Sequence, residues 1–140
     1  MTVKVENMEK ERFDLVLPSL GLGCWSFGGG DYWGQQNQND VNKVVHAAAD
    51  AGITYFDTAE AYNEGRSEES LGKVIHPLQR DKLIIGTKVS PSNCFRETIK
   101  EHCEASLHRI GTDLYRYLYA SLSHTFPFYS PFYKRPTNNR

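Results

Sequence analysis

The chain has 140 residues, 39% of them hydrophobic, and a formal net charge of -1 from 16 basic and 17 acidic side chains. That length suits one domain with its own core, and a balanced charge without a basic block argues against nucleic acid or an anionic membrane surface as partner. A small-molecule ligand or a protein partner is expected instead.

Residues 1–12 are polar and are expected to form a flexible N-terminal segment without a signal peptide or membrane span, so the expected location is cytoplasmic. From Phe13 the composition changes, and Leu15 to Trp25 predicts a first strand ending in Gly23, Cys24 and Trp25. Gly28-Gly29-Gly30 then makes a loop; its spacing, with no helix at once behind it, is not that of a dinucleotide fingerprint. Asn39 or Asp40 caps a helix whose apolar positions Val41, Val44, Val45, Ala48 and Ala49 recur at helical spacing, and Gly52 stops it. Ile53 to Phe56 is short, apolar and rich in β-branched and aromatic residues, which predicts a buried strand.

Ser67, with Glu68 and Glu69 in the first turn, opens a second helix through Leu71, Val74 and Ile75, with Pro77 just beyond. Leu83-Ile84-Ile85 begins a third strand that Lys88 closes. Ser92 or Asn93 opens a third helix carrying Phe95, Ile99, Cys103 and Leu107 in an i, i+4 stripe, with Gly111 as terminator. His46, His76, His102 and His108 fall on these helices or their ends and are expected to face solvent. Cys24, Cys94 and Cys103 lack the paired spacing of a zinc site and read as reduced, structural thiols, with no metal expected.

The three strand centres, near Gly23, Tyr55 and Ile85, are spaced by about one strand-helix-strand unit of 30 residues. Such alternation means parallel strands joined by right-handed helical crossovers, with a fourth strand at Asp113 to Tyr119. A doubly wound nucleotide-binding sheet fits less well, because the first strand leads into a glycine loop with no helix N-terminus close behind to take a phosphate. The expected fold class is α/β with about three and a half βα units; an eightfold barrel needs about 250 residues and a doubly wound sheet fewer. If the parent fold is the (β/α)8 TIM barrel, the chain is its N-terminal part, with the barrel not closed and two open sheet edges. On the barrel reading, the expected organisation is a flexible segment at 1–12, a partial barrel at 13–113, and a divergent or disordered Pro/aromatic tail at 114–140.

Within this frame Asp57 ends the second strand, Tyr62 follows five positions later and Lys88 ends the third strand. Those are the parts of a proton donor: a phenol with a reference pKa of about 10 is a poor acid at neutral pH unless its phenolate is stabilised. A nearby ammonium can do so, and a carboxylate can hold that ammonium charged and in place. Each residue alone has an ordinary reading: Asp before Thr as a turn former, Tyr as loop packing, Lys as a solvated charge. Their combination favours chemistry.

Phe56-Asp57-Thr58-Ala59-Glu60-Ala61-Tyr62, followed by Gly65-Arg66-Ser67-Glu68, Leu71-Gly72 and Gly86-Thr87-Lys88, resembles the aldo-keto reductases. Leu20-Gly21-Leu22-Gly23-Cys24-Trp25 is similar to their first barrel strand, and Arg109-Ile110-Gly111-Thr112-Asp113 to the approach to their fourth. The resemblance implies the eightfold barrel, an NADP(H) cofactor at the C-terminal mouth of the strands, and reduction of a small carbonyl substrate. It implies Tyr62 as general acid, Lys88 as the group that lowers its pKa, and Asp57 as partner of the lysine and of the nicotinamide ribose. It also implies Gly23, Cys24 and Trp25, with Asp57, as cofactor contacts.

The likeness breaks after Asp113. The histidine that completes the family's site should fall at 121, which is Ser121, and His124 stands three places late. A shift of one nucleotide in suitable codons for Leu114-Tyr115-Arg116-Tyr117 spells the family's Tyr-Ile-Asp, so residues 114–140 read as a translation in another frame or as a divergent tail. The expectation is a truncated reductase of little or no activity. The alternative is a non-catalytic interaction protein using half-barrel edges or the aromatic tail, with self-association through open sheet edges.

Overall fold

The computed structural model describes residues 18–78, 80–112, 117–120 and 129–130, the last two stretches as strand backbone. The readings for residues 1–12, the first strand before Pro18, Asp113, Ser121, His124 and the remainder of the tail lie outside the described residues.

Among the described residues five strands form one sheet in chain order: β1 (Leu22–Gly23), β2 (Tyr55–Asp57), β3 (Ile84–Val89), β4 (Tyr117–Ala120) and β5 (Tyr129–Ser130). β1 to β4 are parallel, while β5 returns antiparallel on β4. Helices α1 (Gln38–Asp50), α2 (Arg66–Ile75) and α3 (Ile99–Ile110) follow β1, β2 and β3. Each strand lies beside its predecessor across a helix, which is the winding of a barrel; in a doubly wound sheet the order reverses at a switch point. The fold is therefore a partial, unclosed α/β sheet, the N-terminal part of a (β/α)8 barrel. No described helix is long and apolar enough to cross a membrane.

The helices cover one face of the sheet. Val41 and Val45 of α1, Leu71, Val74 and Ile75 of α2, and Leu107 and Ile110 of α3 close a core on Phe56, Ile85 and Val89. Glycine at 72 lets α2 approach α3, since a Cβ there would lie 2.5 Å from the carbonyl oxygen of Ile110. Gly111, in left-handed conformation at φ 72° and ψ 34°, ends α3 as expected.

Several boundaries depart from the sequence reading. Helix α1 is capped by Asn37, whose side chain accepts the Asn39 N–H at 2.9 Å, ahead of the expected Asn39 or Asp40. Val44, assigned to the apolar stripe, is 47% exposed. Ser67 does not cap α2, which starts at Arg66; its hydroxyl donates instead to the Cys24 carbonyl at 2.6 Å. The third helix begins at Ile99, after a single 3₁₀ turn at Pro91–Asn93, and Phe95 is exposed. A distant acceptor, Glu60, takes the Ser90 N–H and the Asn93 amide, both at 2.7 Å, and so fixes this loop outside the helix.

Candidate active site

Strand alternation sorts the residues by face. Phe56, Ile85, Thr87 and Val89 are buried, with Phe56, Ile85 and Val89 in the core beneath the helices, so Asp57, Gly86 and Lys88 share the opposite face, Asp57 being in register with Gly86. Tyr55 lies on that face as well. Its ring covers Gly21 and Gly86, where an added Cβ would come within 2.4 Å and 2.8 Å of ring or hydroxyl atoms, and its hydroxyl donates to Asp57 Oδ1 at 3.4 Å.

At the C-terminal ends of β2 and β3 the three expected residues converge. Lys88 Nζ donates to both Asp57 carboxylate oxygens at 2.8 Å and to the Thr58 carbonyl at 2.7 Å. It stands 4.8 Å from the ring centroid of Tyr62, within the range of a cation–π attraction. Tyr62 begins a 3₁₀ turn, Tyr62–Gly65, anchored by its own N–H on the Ala59 carbonyl at 3.0 Å. A cavity of about 150 Å³ lies beside the pair, lined by Ala59, Ala61, Tyr62, Lys88, Val89, Ser90 and Pro91.

The loop after β1 supplies the neighbouring wall. Gly23 is exposed, and a Cβ placed on it meets nothing within 4 Å. The Trp25 ring is 49% exposed and lies 6.1 Å from that of Tyr62; it stacks on Tyr32 at 5.4 Å and meets Trp33 edge to face at 5.2 Å. Cys24, grouped with these two by sequence, turns its side chain into the core. Its backbone N–H is bound to the Asp57 carbonyl at 2.8 Å, and burial pushes its thiol up to about 12. Burial likewise raises the Cys103 thiol to about 11, and none of the three cysteines is in a disulfide.

Two buried carboxylates brace the site. Glu60 accepts from Ser90 N–H, Asn93 Nδ2 and His102 Nδ1, each at 2.7 Å, while its own N–H donates to the Lys88 carbonyl at 3.1 Å. Burial works against ionisation of this carboxyl, but the Ser90 N–H, the Asn93 amide and His102 outweigh it and hold its pKa below the usual carboxylate value. The expectation that His102 faces solvent is thereby corrected; His46, His76 and His108 are exposed. Glu68, fully buried, accepts from the Thr87 hydroxyl and from Arg109 Nε at 2.6 Å, which ties α2 to β3 and to the end of α3.

Asp57, Tyr62 and Lys88 are thus brought together, with Gly23 and Trp25 beside them and Cys24 beneath. Tyr55 and Glu60 were absent from the sequence reading of the site. A signal existed for Tyr55, which alternates with Asp57 on one strand face; for Glu60 it did not, because its partners lie 30 to 42 residues away. Among the described residues no group of three or more His, Cys, Asp or Glu could hold a metal ion.

Comparison with known proteins gives a consistent result. The sequence model described as "Aldo/keto reductase family" matches residues 19–132. The aldo-keto reductase YhdN of Bacillus subtilis is 40% identical over 103 residues, covering 67% of this chain and 31% of the relative. The NADH-specific methylglyoxal reductase of Escherichia coli is 29% identical over 137 residues, covering 84% of this chain and 42% of the relative. A crystal structure of an aldo-keto reductase from Klebsiella pneumoniae in complex with NADPH superposes with a TM-score of 0.69 at 29% identity, covering 79% of this chain and 37% of that one. The chain therefore spans between about a third and two fifths of the length of these proteins.

Proposed function

From the premise that this chain belongs to the aldo/keto reductase family, we propose that its site reduces a small aldehyde or ketone with NADP(H), Tyr62 giving the proton. The observation that carries this reading is the ammonium of Lys88, fixed by Asp57 and aimed at the ring of Tyr62.

The residues present fit a flat nicotinamide ring. Space is open beside Gly23, the Asp57 side chain is 34% exposed and Trp25 offers an aromatic face; these three would hold the group, with Cys24 contributing only the backbone between them. When bound, such a cofactor supplies the hydride that the protein cannot. The NADPH complex of the Klebsiella protein supports the phosphorylated form over the NADH of the Escherichia coli enzyme's name.

Tyr62 protonates the carbonyl oxygen as general acid. The positive charge of Lys88 stabilises the phenolate left behind, and Asp57 keeps that charge in place through two charge-assisted bonds. The cavity walls of Ala59, Ala61, Val89 and Pro91 offer apolar contact and leave room for a small carbonyl compound.

In this chain by itself, turnover is proposed to be weak or absent, because the site described comes from a sheet that is not closed. Two assays test the reading. The chain is incubated with NADPH and a panel of small aldehydes; vigorous cofactor oxidation would overturn the weak-turnover part. Residues 18–112 are also grafted in place of the matching segment of the Bacillus subtilis relative, where Tyr62→Phe is expected to lower kcat by about 10²–10⁴-fold. Undiminished turnover there would remove Tyr62 from its role. A second reading, a non-catalytic interaction protein, draws on the exposure of Leu20, Tyr32 and Phe95, at 63%, 77% and 61%.

A further inference from the structure

Three consecutive residues after Tyr62 have left-handed backbone: Asn63 (φ 51°, ψ 42°), Glu64 (φ 59°, ψ 40°) and Gly65 (φ 84°, ψ -9°). Glycine enters this region freely; asparagine does so at a cost that something else must offset. At Asn63 the offset comes from the side chain. Its Nδ2 donates to the Trp25 carbonyl at 2.9 Å and to the Phe27 carbonyl at 2.8 Å, so both amide hydrogens are used on one turn, 38 and 36 residues earlier in the chain.

That turn is shaped to receive the amide. A Cβ at Gly30 would lie 2.6 Å from Asn63 Oδ1, and one at Gly28 would lie 2.6 Å from the Arg66 carbonyl carbon. Arg66 Nε in turn donates to the Asn63 carbonyl at 2.9 Å. The ring of Trp25 consequently stands against that of Tyr62, with Tyr32 and Trp33 packed on its other sides.

We infer that Asn63 is a positioning residue: its amide clamps the Trp25–Phe27 turn onto the Tyr62 segment, so that the aromatic wall and the phenol form one unit at the mouth of the sheet. Only the consequence for catalysis rests on the reading of Tyr62 as proton donor. The clamp stands on the geometry by itself. A residue that merely filled a left-handed position could be replaced by glycine with profit to the fold; a clamp could not.

The chain contains two tryptophans, Trp25 and Trp33, which meet edge to face at 5.2 Å, so tryptophan signals report this loop alone. The full chain is compared with Asn63→Gly and Asn63→Asp by the Trp–Trp exciton band in circular dichroism and by acrylamide quenching of tryptophan fluorescence, with far-UV dichroism confirming the fold. Loss of two hydrogen bonds lowers the ratio of clamped to released turn by about fivefold or more. Asn63→Gly is expected to lose exciton intensity and to quench more steeply while keeping its helix signal. Asn63→Asp, which sets a carboxylate oxygen against two carbonyls, is expected to lose more; should it not fold, the glycine variant decides. An Asn63→Gly protein with the parent's exciton band and quenching overturns the inference. Because neither readout needs turnover, an absence of reductase activity would count against the proposed function and leave the clamp standing.

Discussion

Lys88 reaches three acceptors, the two Asp57 oxygens and the Thr58 carbonyl, all within 2.8 Å. A lysine held by three acceptors has little rotamer freedom left to lose, so its charge is in place before any ligand arrives. Glu60 secures the same locality from below, through three donors on its carboxylate and its own N–H on Lys88. Its pKa is lower in the folded chain than in the unfolded one. Between those two values the unfolded state binds more protons, so this stabilisation is fully present above the ordinary carboxylate value and is lost as pH falls through the lower, folded one. Glu60→Gln is expected to cost about 1–2 kcal/mol at neutral pH through loss of charge-assisted bonds. In urea titrations at successive pH values, the gap to the parent should narrow on acidification; a constant gap would mean that the carboxylate charge is not what matters.

At the scale of elements, one buried carboxylate joins helix α2 to both β3 and α3. Glu68 sits in the first turn of α2 with no exposed surface and bonds to Thr87 on β3 and to Arg109 near the end of α3. Removing the arginine strands that charge, and breaking such a pair costs about 3–5 kcal/mol. Arg109→Ala should therefore lower the urea midpoint sharply, whereas a loss below about 1 kcal/mol would show that water reaches Glu68 and the pair behaves as a surface one. The close crossing of α2 on α3 at Gly72 depends on the same junction, because the arginine and the Ile110 carbonyl belong to one helix end.

For the molecule as a whole, the sheet has β1 at one side and the antiparallel β5 at the other among the described residues. Unpaired strand edges recruit further strands, and self-association through them is proposed. Deleting residues 114–140 would remove β4 and β5 and uncover the edge of β3 from Gly86 to Val89. In size-exclusion runs at several concentrations, the shortened chain is expected to associate more than the parent. Weaker association would assign the contact to the tail instead.

The βα succession was legible in the sequence because short β-branched runs such as Ile53 to Phe56 and helical spacing such as Leu71, Val74 and Ile75 are patterns between near neighbours. The order Asp57, Tyr62, Lys88 was legible too, since two strand ends and one short loop fix where those side chains emerge. What escaped depended on partners far along the chain. Glu60 set the start of α3 from 33 residues away through Asn93, the Cys24 carbonyl drew Ser67 off its expected cap, and the Trp25 turn gave Asn63 its purpose. By itself the sequence determined the kinds of element, their succession and the three chemical groups, all matters of local spacing. The tertiary structure alone decided which polar atoms meet, because an acceptor 30 or more residues distant becomes a neighbour only after the parallel strands have set their register.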